Sequence, residues 1–282
     1  MSVPAHGMMT AIMSVRAEAV GALPAVILCG GLGTRLREET EYRPKPMVEI
    51  GGRPILWRIM RIFAAQGVRE FILCLGYKGE MIRRYFLDYE VMHADATVEL
   101  GTKRTVLHER VSEADWRVTF AETGEKAQTG ARIARVRRYV GDRPCFVTYG
   151  DGLADVNLET LLRHHRAERR VVTVTAVHPW SVRFGELNLH DARVVNFREK
   201  PVEKESYING GFFVFEPRAF DYLSTDDDCV LEREPLERLA ADGQLTAYRH
   251  DGFWACMDTY RDWVALNDMC ARGERPLEVA AP

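Results

Sequence analysis

The segment Leu28-Cys-Gly-Gly-Leu-Gly-Thr-Arg-Leu36 places glycines at 30, 31 and 33, followed directly by Thr34 and Arg35. Glycines carry no Cβ, so the peptide N–H groups of such a loop can approach anionic oxygens closely. Arg35 adds a planar guanidinium suited to gripping two phosphate oxygens at once. Lys45, held between Pro44 and Pro46, is a point charge on a stiffened segment. The chemistry these residues suit is the binding of a phosphorylated ligand. The pattern is neither the dinucleotide fingerprint, whose third glycine is missing, nor a GxxxxGK[ST] phosphate loop.

Two aspartates stand out for a second kind of chemistry. Asp151 sits between Gly150 and Gly152, and Asp258 follows the aromatic pair Phe253-Trp254 about a hundred residues later. Two carboxylates with phosphate oxygens and water make an all-oxygen, octahedral site of the kind magnesium prefers. Asp258 also suits a helix cap, since a helix is expected from Thr259. Lysine is scarce: of 38 basic residues only Lys45, Lys78, Lys103, Lys126, Lys200 and Lys204 are lysines. Scarcity draws attention to Glu199-Lys200-Pro201. His164, His165 and His178 do not read as metal ligands, because adjacent histidines on a helix point in different directions. Arg135, Arg137 and Arg138 read as the solvated face of a helix.

The elements that must position these residues follow from the apolar pattern. Ala25–Cys29, Phe71–Leu75 and Cys145–Tyr149 are short continuous apolar runs ended by glycine or Gly-Asp, as expected of strands covered on both faces. Pro54 opens an apolar-periodic stretch to Phe63, with Gly67 beyond it, the start and stop signals of a helix. Further helices are expected over Met81–Tyr89, Leu158–Ala167, Arg233–Ala241 and Thr259–Arg272, and strands over Val171–Val177, Val194–Phe197 and Gly211–Phe215. Strands alternating with helices predict an α/β fold, a Rossmann-like three-layer sandwich with a mixed, mostly parallel central sheet. Ligands of such sheets sit at the carboxyl ends of the strands. The short alternating runs between Thr97 and Glu122 predict a small antiparallel insertion. Residues 1–23 read as a disordered tail and 24–282 as a single domain.

Composition bounds the function. The 282 residues are 46% hydrophobic and 28% charged, an ordinary globular mixture. A net charge of −3 argues against coating a nucleic acid. No run of 18 apolar residues is present, so no membrane span is expected. Cys29, Cys74, Cys145, Cys229, Cys256 and Cys270 lie scattered without a CxxC pair, the usage of a cytoplasmic protein with reduced thiols.

Gly-Gly-x-Gly-Thr-Arg-Leu at 30–36 followed by Pro-Lys-Pro-Met at 44–47 resembles the sugar-nucleotide pyrophosphorylases, a nucleotidyltransferase family. Val48–Trp57, Leu75–Gly79, Glu122–Gly124, Thr129–Ile133, Tyr149–Gly152, Ile208–Phe213 and Phe253–Thr259 resemble its glucose-1-phosphate cytidylyltransferase branch. The resemblance implies CTP and α-D-glucose 1-phosphate as substrates, Mg2+ as cofactor and a homo-oligomer. It implies nucleotide binding by Leu28, Gly30, Gly31, Gly33, Thr34, Arg35, Lys45, Thr129, Arg132 and Gly150. It further implies sugar-phosphate binding by Glu199, Lys200, Asn209 and Gly210, metal binding by Asp151 and Asp258, and catalytic charges on Arg35, Lys45 and Lys200. Uridylyl or thymidylyl transfer to another sugar 1-phosphate is the alternative. The chain departs from the branch at Ala131, in place of a glycine, and at Ala255-Cys256.

Overall fold

The computed structural model describes residues 19–31, 33–178, 186–190, 193–198 and 207–274. Alternation along the Ala25–Leu28 strand decides the layering. Ala25 and Ile27 join one apolar cluster while Val26 and Leu28 join another on the opposite face. The parallel neighbours divide in the same way: Phe71, Leu73, Leu75 and Phe146 with the first cluster, Ile72, Cys74 and Val147 with the second. Burial on both faces is why these strands read as unbroken apolar runs.

Four strands lie parallel in the order Arg117–Glu122, Glu70–Leu75, Ala25–Leu28, Cys145–Tyr149. Phe213–Phe215 continues the sheet antiparallel, between Cys145–Tyr149 and Val172–Val177. Leu245–His250 runs parallel to Val172–Val177. Helices Ile55–Ala64, Leu158–Glu168 and Tyr260–Ala271 contribute to the first cluster, and Thr129–Arg135 and Glu234–Ala241 to the second. The α/β, three-layer, mixed-sheet expectation therefore describes the fold.

Local chemistry sets the helix ends. Ile55, Ile59 and Phe63, with Leu56 and Met60 beside them, form a stripe of fully buried residues at helical spacing. The helix stops where Gly67 adopts φ +100 and the N–H of Val68 reaches back to Phe63 O at 3.2 Å, a Schellman ending. Asn157 caps Leu158–Glu168 by accepting from Thr160 N at 2.8 Å.

Two expectations are corrected, and one element went unforeseen. Of the proposed insertion, Ala96–Glu99 and Arg104–Leu107 do form an antiparallel hairpin, but Arg117–Glu122 joins the central sheet in parallel. The reason is burial: Val118 and Phe120 pack on the first cluster and Ala121, 2% exposed, in the second, which a solvated insertion could not provide. The 1–23 tail overlaps the fold at its end, because Val20–Ala22 form a 3-10 turn and Val20 and Leu23 are buried in the core. A two-stranded ladder, Gly152–Ala154 with Trp254–Cys256, was not legible at three residues per strand. Among the described residues no helix is long and apolar enough to cross a membrane, and all six cysteines are free thiols.

Phe63 holds the first cluster together, its ring 5.5 Å from Phe212 in a stacked pair and 5.7 Å from Phe146. Phe63→Ala is expected to lower the free energy of unfolding by about 3–5 kcal/mol, read as a shift of the denaturant midpoint at unchanged slope.

Candidate active site

The four parallel strands end on one edge of the sheet, and the segments that leave them meet there. Cys29-Gly30-Gly31, Gly76, Thr123-Gly124 and Gly150-Asp151 follow those strands directly. A cleft opens at this edge, lined among others by Leu28, Gly30, Gly31, Lys45, Thr129, Arg132, Tyr149, Gly150 and Asp151. Most of the nucleotide-binding residues expected from the sequence are thus brought together. Gly33, with φ +63, turns the chain just beyond the cleft and accepts from Thr40 Oγ1 at 3.0 Å. Thr34 and Arg35 follow in the Thr34–Leu36 3-10 turn.

Arg132 occupies an unanticipated position. It is 4% exposed, and its guanidinium donates to Leu75 O (3.0 Å), Gly124 O (2.7 Å), Gly30 O (2.7 Å), Glu125 O (3.2 Å) and Thr123 Oγ1 (2.9 Å). Burial pulls its pKa below the ordinary arginine value, and five oxygen acceptors take the place of water around the charge. One side chain therefore ties the loops that leave three neighbouring strands. Gly30 is required by this contact, since an added Cβ would overlap the guanidinium.

Lys45 lies in the Lys45–Met47 3-10 turn after Pro44. Its ammonium is 2.6 Å from Asp151 Oδ2 and 2.6 Å from Asp258 Oδ1. Burial opposes the charge, but Asp151, Cys256 and Asp258 outweigh it and hold the lysine well above its ordinary pKa. Arg35 reaches the other oxygen, Asp258 Oδ2, at 3.1 Å. Its side chain is 75% exposed, so that contact is weak and easily exchanged for a ligand. Two cations and two carboxylates from chain-distant segments thus share one corner of the cleft.

Asp151 and Asp258 are positioned by the short ladder. Cys256 pairs with Gly152 at its end, and Met257 N donates to Asp151 O at 2.9 Å. The helix after Asp258 is capped by a reciprocal box between Thr259 and Asp262. Asp258 is therefore not the cap that the sequence allowed. Asp262 Oδ2 instead accepts from Asp258 N at 3.0 Å, fixing the backbone beneath that carboxylate. Carboxylate oxygens of Asp151 and Asp258 and Cys256 Sγ all lie within 4.8 Å of one another, a donor set able to hold a divalent cation. The Thr-x-x-Asp spacing could have revealed Asp262 from sequence; Cys256 carried no such signal.

On the other side of Asp151, Tyr149 OH donates to Glu232 Oε1 at 2.5 Å and accepts from Asn209 Nδ2 at 2.9 Å. Thr129 Oγ1 donates to Glu232 Oε2 at 2.7 Å. Glu232, which sequence reasoning missed, so links Thr129 of the nucleotide set to Asn209 of the sugar-phosphate set. Burial, then the adjacent Glu232 carboxylate, pushes the Tyr149 phenol far above its ordinary pKa, keeping it a neutral donor. Gly210 accepts from Trp254 Nε1 at 2.8 Å. Glu199 and Lys200 lie outside the described residues. His165 is buried against Thr173 (2.7 Å) and Glu216 (3.0 Å), away from the cleft. Arg135 is no solvated bystander, since it donates to Thr123 O at 2.6 Å and pairs with Asp227 at 2.9 Å.

Gly30→Ala is expected to destabilise the fold by about 1–3 kcal/mol through overpacking against Arg132. In a double-mutant cycle with Arg132→Ala the two losses should fall clearly short of additivity, as measured by denaturant titration.

Comparison with known proteins extends these observations. A sequence profile described as "Nucleotidyl transferase" matches residues 24–259. A Bacillus subtilis protein named "Probable glucose-1-phosphate cytidylyltransferase" is 45% identical over 257 residues, covering 91% of this chain and 100% of the relative. The glucose-1-phosphate cytidylyltransferase of Salmonella typhimurium is 45% identical over 255 residues, covering 90% and 98%. The crystal structure of HddC from Yersinia pseudotuberculosis shares the fold, with a TM-score of 0.65 at 24% identity over 87% of this chain and 98% of that one. A profile that begins at the first buried strand and runs through Asp258 spans every segment of the cleft described above, and the chain belongs to the nucleotidyl transferase family.

Proposed function

We propose that this chain transfers the cytidylyl group of CTP to α-D-glucose 1-phosphate, forming CDP-glucose and releasing pyrophosphate. The observation that carries the reading is the corner where Lys45 meets Asp151 and Asp258, beside a glycine loop at the carboxyl edge of a parallel sheet. The choice of cytosine and glucose rests on relatives 45% identical over nine-tenths of this chain that carry that name.

The acceptor brings its own nucleophile. A phosphate monoester has a second pKa of about 6 and carries up to about two negative charges at pH 7. Its oxygen attacks the α-phosphorus in line, and pyrophosphate leaves from the opposite side. No general base is required, and no histidine lines the cleft among the described residues. The obstacle is repulsion between two anionic substrates, so positioning and neutralisation supply most of the rate. Gly30 and Gly31 present backbone to the triphosphate, and Lys45 and Arg35 meet its oxygens. Arg132 keeps a positive charge beneath the floor without leaving its carbonyl partners, while Thr129 and Gly150 border the nucleotide. Asn209, Gly210, Glu199 and Lys200 take the sugar and its phosphate, the last two on the strength of their sequence pattern. Asp151 and Asp258 would hold Mg2+, whose bound form supplies further charge neutralisation at the triphosphate. The enzyme on this reading is a cytoplasmic homo-oligomer.

Four nucleoside triphosphates tested against glucose 1-phosphate should give rapid pyrophosphate release with CTP alone. Release driven chiefly by UTP or dTTP would replace this reading with the uridylyl or thymidylyl one. Lys45→Ala should lower turnover on the order of 10²–10³-fold while leaving the circular-dichroism spectrum unchanged.

The pH profile follows from the shifted lysine. A raised pKa keeps Lys45 cationic at every pH below its ordinary value of about 10.4, and its contribution disappears only above that. Turnover should therefore rise through about pH 6 with the second ionisation of the sugar phosphate and then stay level to about pH 9. A decline between pH 7 and 9 in a buffered rate profile would assign the plateau to some other group.

A further inference from the structure

We propose that Cys256 is a third protein donor at the Asp151–Asp258 cation site, which therefore binds Zn2+ and Co2+ more tightly than Mg2+. The inference rests on the reading above that these two carboxylates hold a divalent cation. Strand geometry places the thiol there. Cys256 ends the Trp254–Cys256 strand, and Asp258 two residues on turns its carboxylate to the same side as the thiol. Met257 between them is fully buried on the other, and its N–H is committed to Asp151 O. The ladder that pairs Cys256 with Gly152 sets the Asp151 backbone against Met257, and the Asp151 carboxylate reaches the thiol and Asp258 from there.

Distances agree with a shared ion. Oxygen and sulfur donors bound at about 2.1 and 2.3 Å to one cation lie no more than about 4.4 Å apart. The three donor atoms are within 4.8 Å of one another, so they need shift by only a few tenths of an ångström, while the Lys45 ammonium that now lies 2.6 Å from both carboxylates gives way to the ion.

The donor set then decides the preference. Mg2+ takes oxygen ligands in near-ideal octahedral geometry and gains little from sulfur. Zn2+ and Co2+ accept mixed oxygen and sulfur donors and lie higher in the general affinity order for divalent metals. As the metal–sulfur bond forms, the thiol proton passes to solvent, and no oxidant or reductant is involved. Mg2+ occupies the site when it is in large excess, and traces of a thiophilic cation compete with it.

Titrating Co2+ into the metal-free full-length protein tests this directly. The expected result is a sulfur-to-cobalt charge-transfer absorption that saturates at one ion per chain, is erased by Zn2+ at near-stoichiometric amounts, and resists Mg2+ until it is in large excess. In Cys256→Ser the band should vanish, and calorimetry should show Zn2+ affinity falling at least about tenfold with a smaller change for Mg2+. A wild-type protein that lacks the band yet releases pyrophosphate in a Mg2+-dependent reaction overturns the role of Cys256 and leaves the cytidylyltransferase reading intact. A band that persists in Cys256→Ser overturns it too, by tracing the sulfur to another cysteine. Turnover that needs no divalent cation removes the carboxylate site itself, and both readings fall.

Discussion

Strands buried on both faces have only their ends available for polar chemistry, and the arrangement of this molecule follows from that constraint. Ala25, Val26 and Ile27 are wholly inaccessible to solvent, so the central strand can meet a soluble ligand only at its end, where Leu28 borders the cleft. The parallel direction of four neighbouring strands gathers their departing loops at one edge. Charge, glycine and hydroxyl groups accumulate there because no other part of the sheet can accommodate them.

Gathering flexible loops creates a second problem, which Arg132 solves. Glycine loops that suit close approach to phosphate are entropically costly to hold in one conformation. A guanidinium with five donors, planted beneath them and bonded to carbonyls from three loops, orders the loops together. Its positive charge stays under the floor of a cleft suited to anions. The same residue thus answers to packing and to electrostatics, although its contacts are all with the protein's own oxygens.

Lys45 joins the two halves of the chain in a different way. Asp151 leaves a central strand, Asp258 follows a short ladder strand, and the ammonium lies 2.6 Å from each. Pro44 and Pro46 on either side, and the Asp262 box behind Asp258, limit how far either partner can drift. A partly exposed Arg35 completes the group at its rim. Tyr149, Glu232, Thr129 and Asn209 form a comparable relay on the far side of Asp151, so the cleft is bounded by two hydrogen-bonded frames.

Much of this was legible in the amino-acid order itself, because the relevant signals are local. Continuous apolar runs ended by glycine mark doubly covered strands, Pro54 and Gly67 bracket a helix, and the glycine and lysine pattern picks out Gly30, Gly31 and Lys45, which line the cleft. What stayed hidden depends on partners far apart in sequence. Arg132 was expected beside a nucleotide, and that it is buried and bonded to Gly30, Leu75 and Gly124 shows only in the fold. Arg117–Glu122 alternates like an exposed hairpin strand until both its faces are covered. Cys256 is an ordinary residue near a helix start until the fold gathers its thiol with the Asp151 and Asp258 carboxylates. Sequence alone determined the elements and the inventory of charges, since propensity and periodicity act over a few residues. Only the tertiary structure decided that Lys45 meets both Asp151 and Asp258 and that Cys256 joins them, because ion pairs and metal donor sets are fixed by distance in space, of which the intervening chain carries no local record.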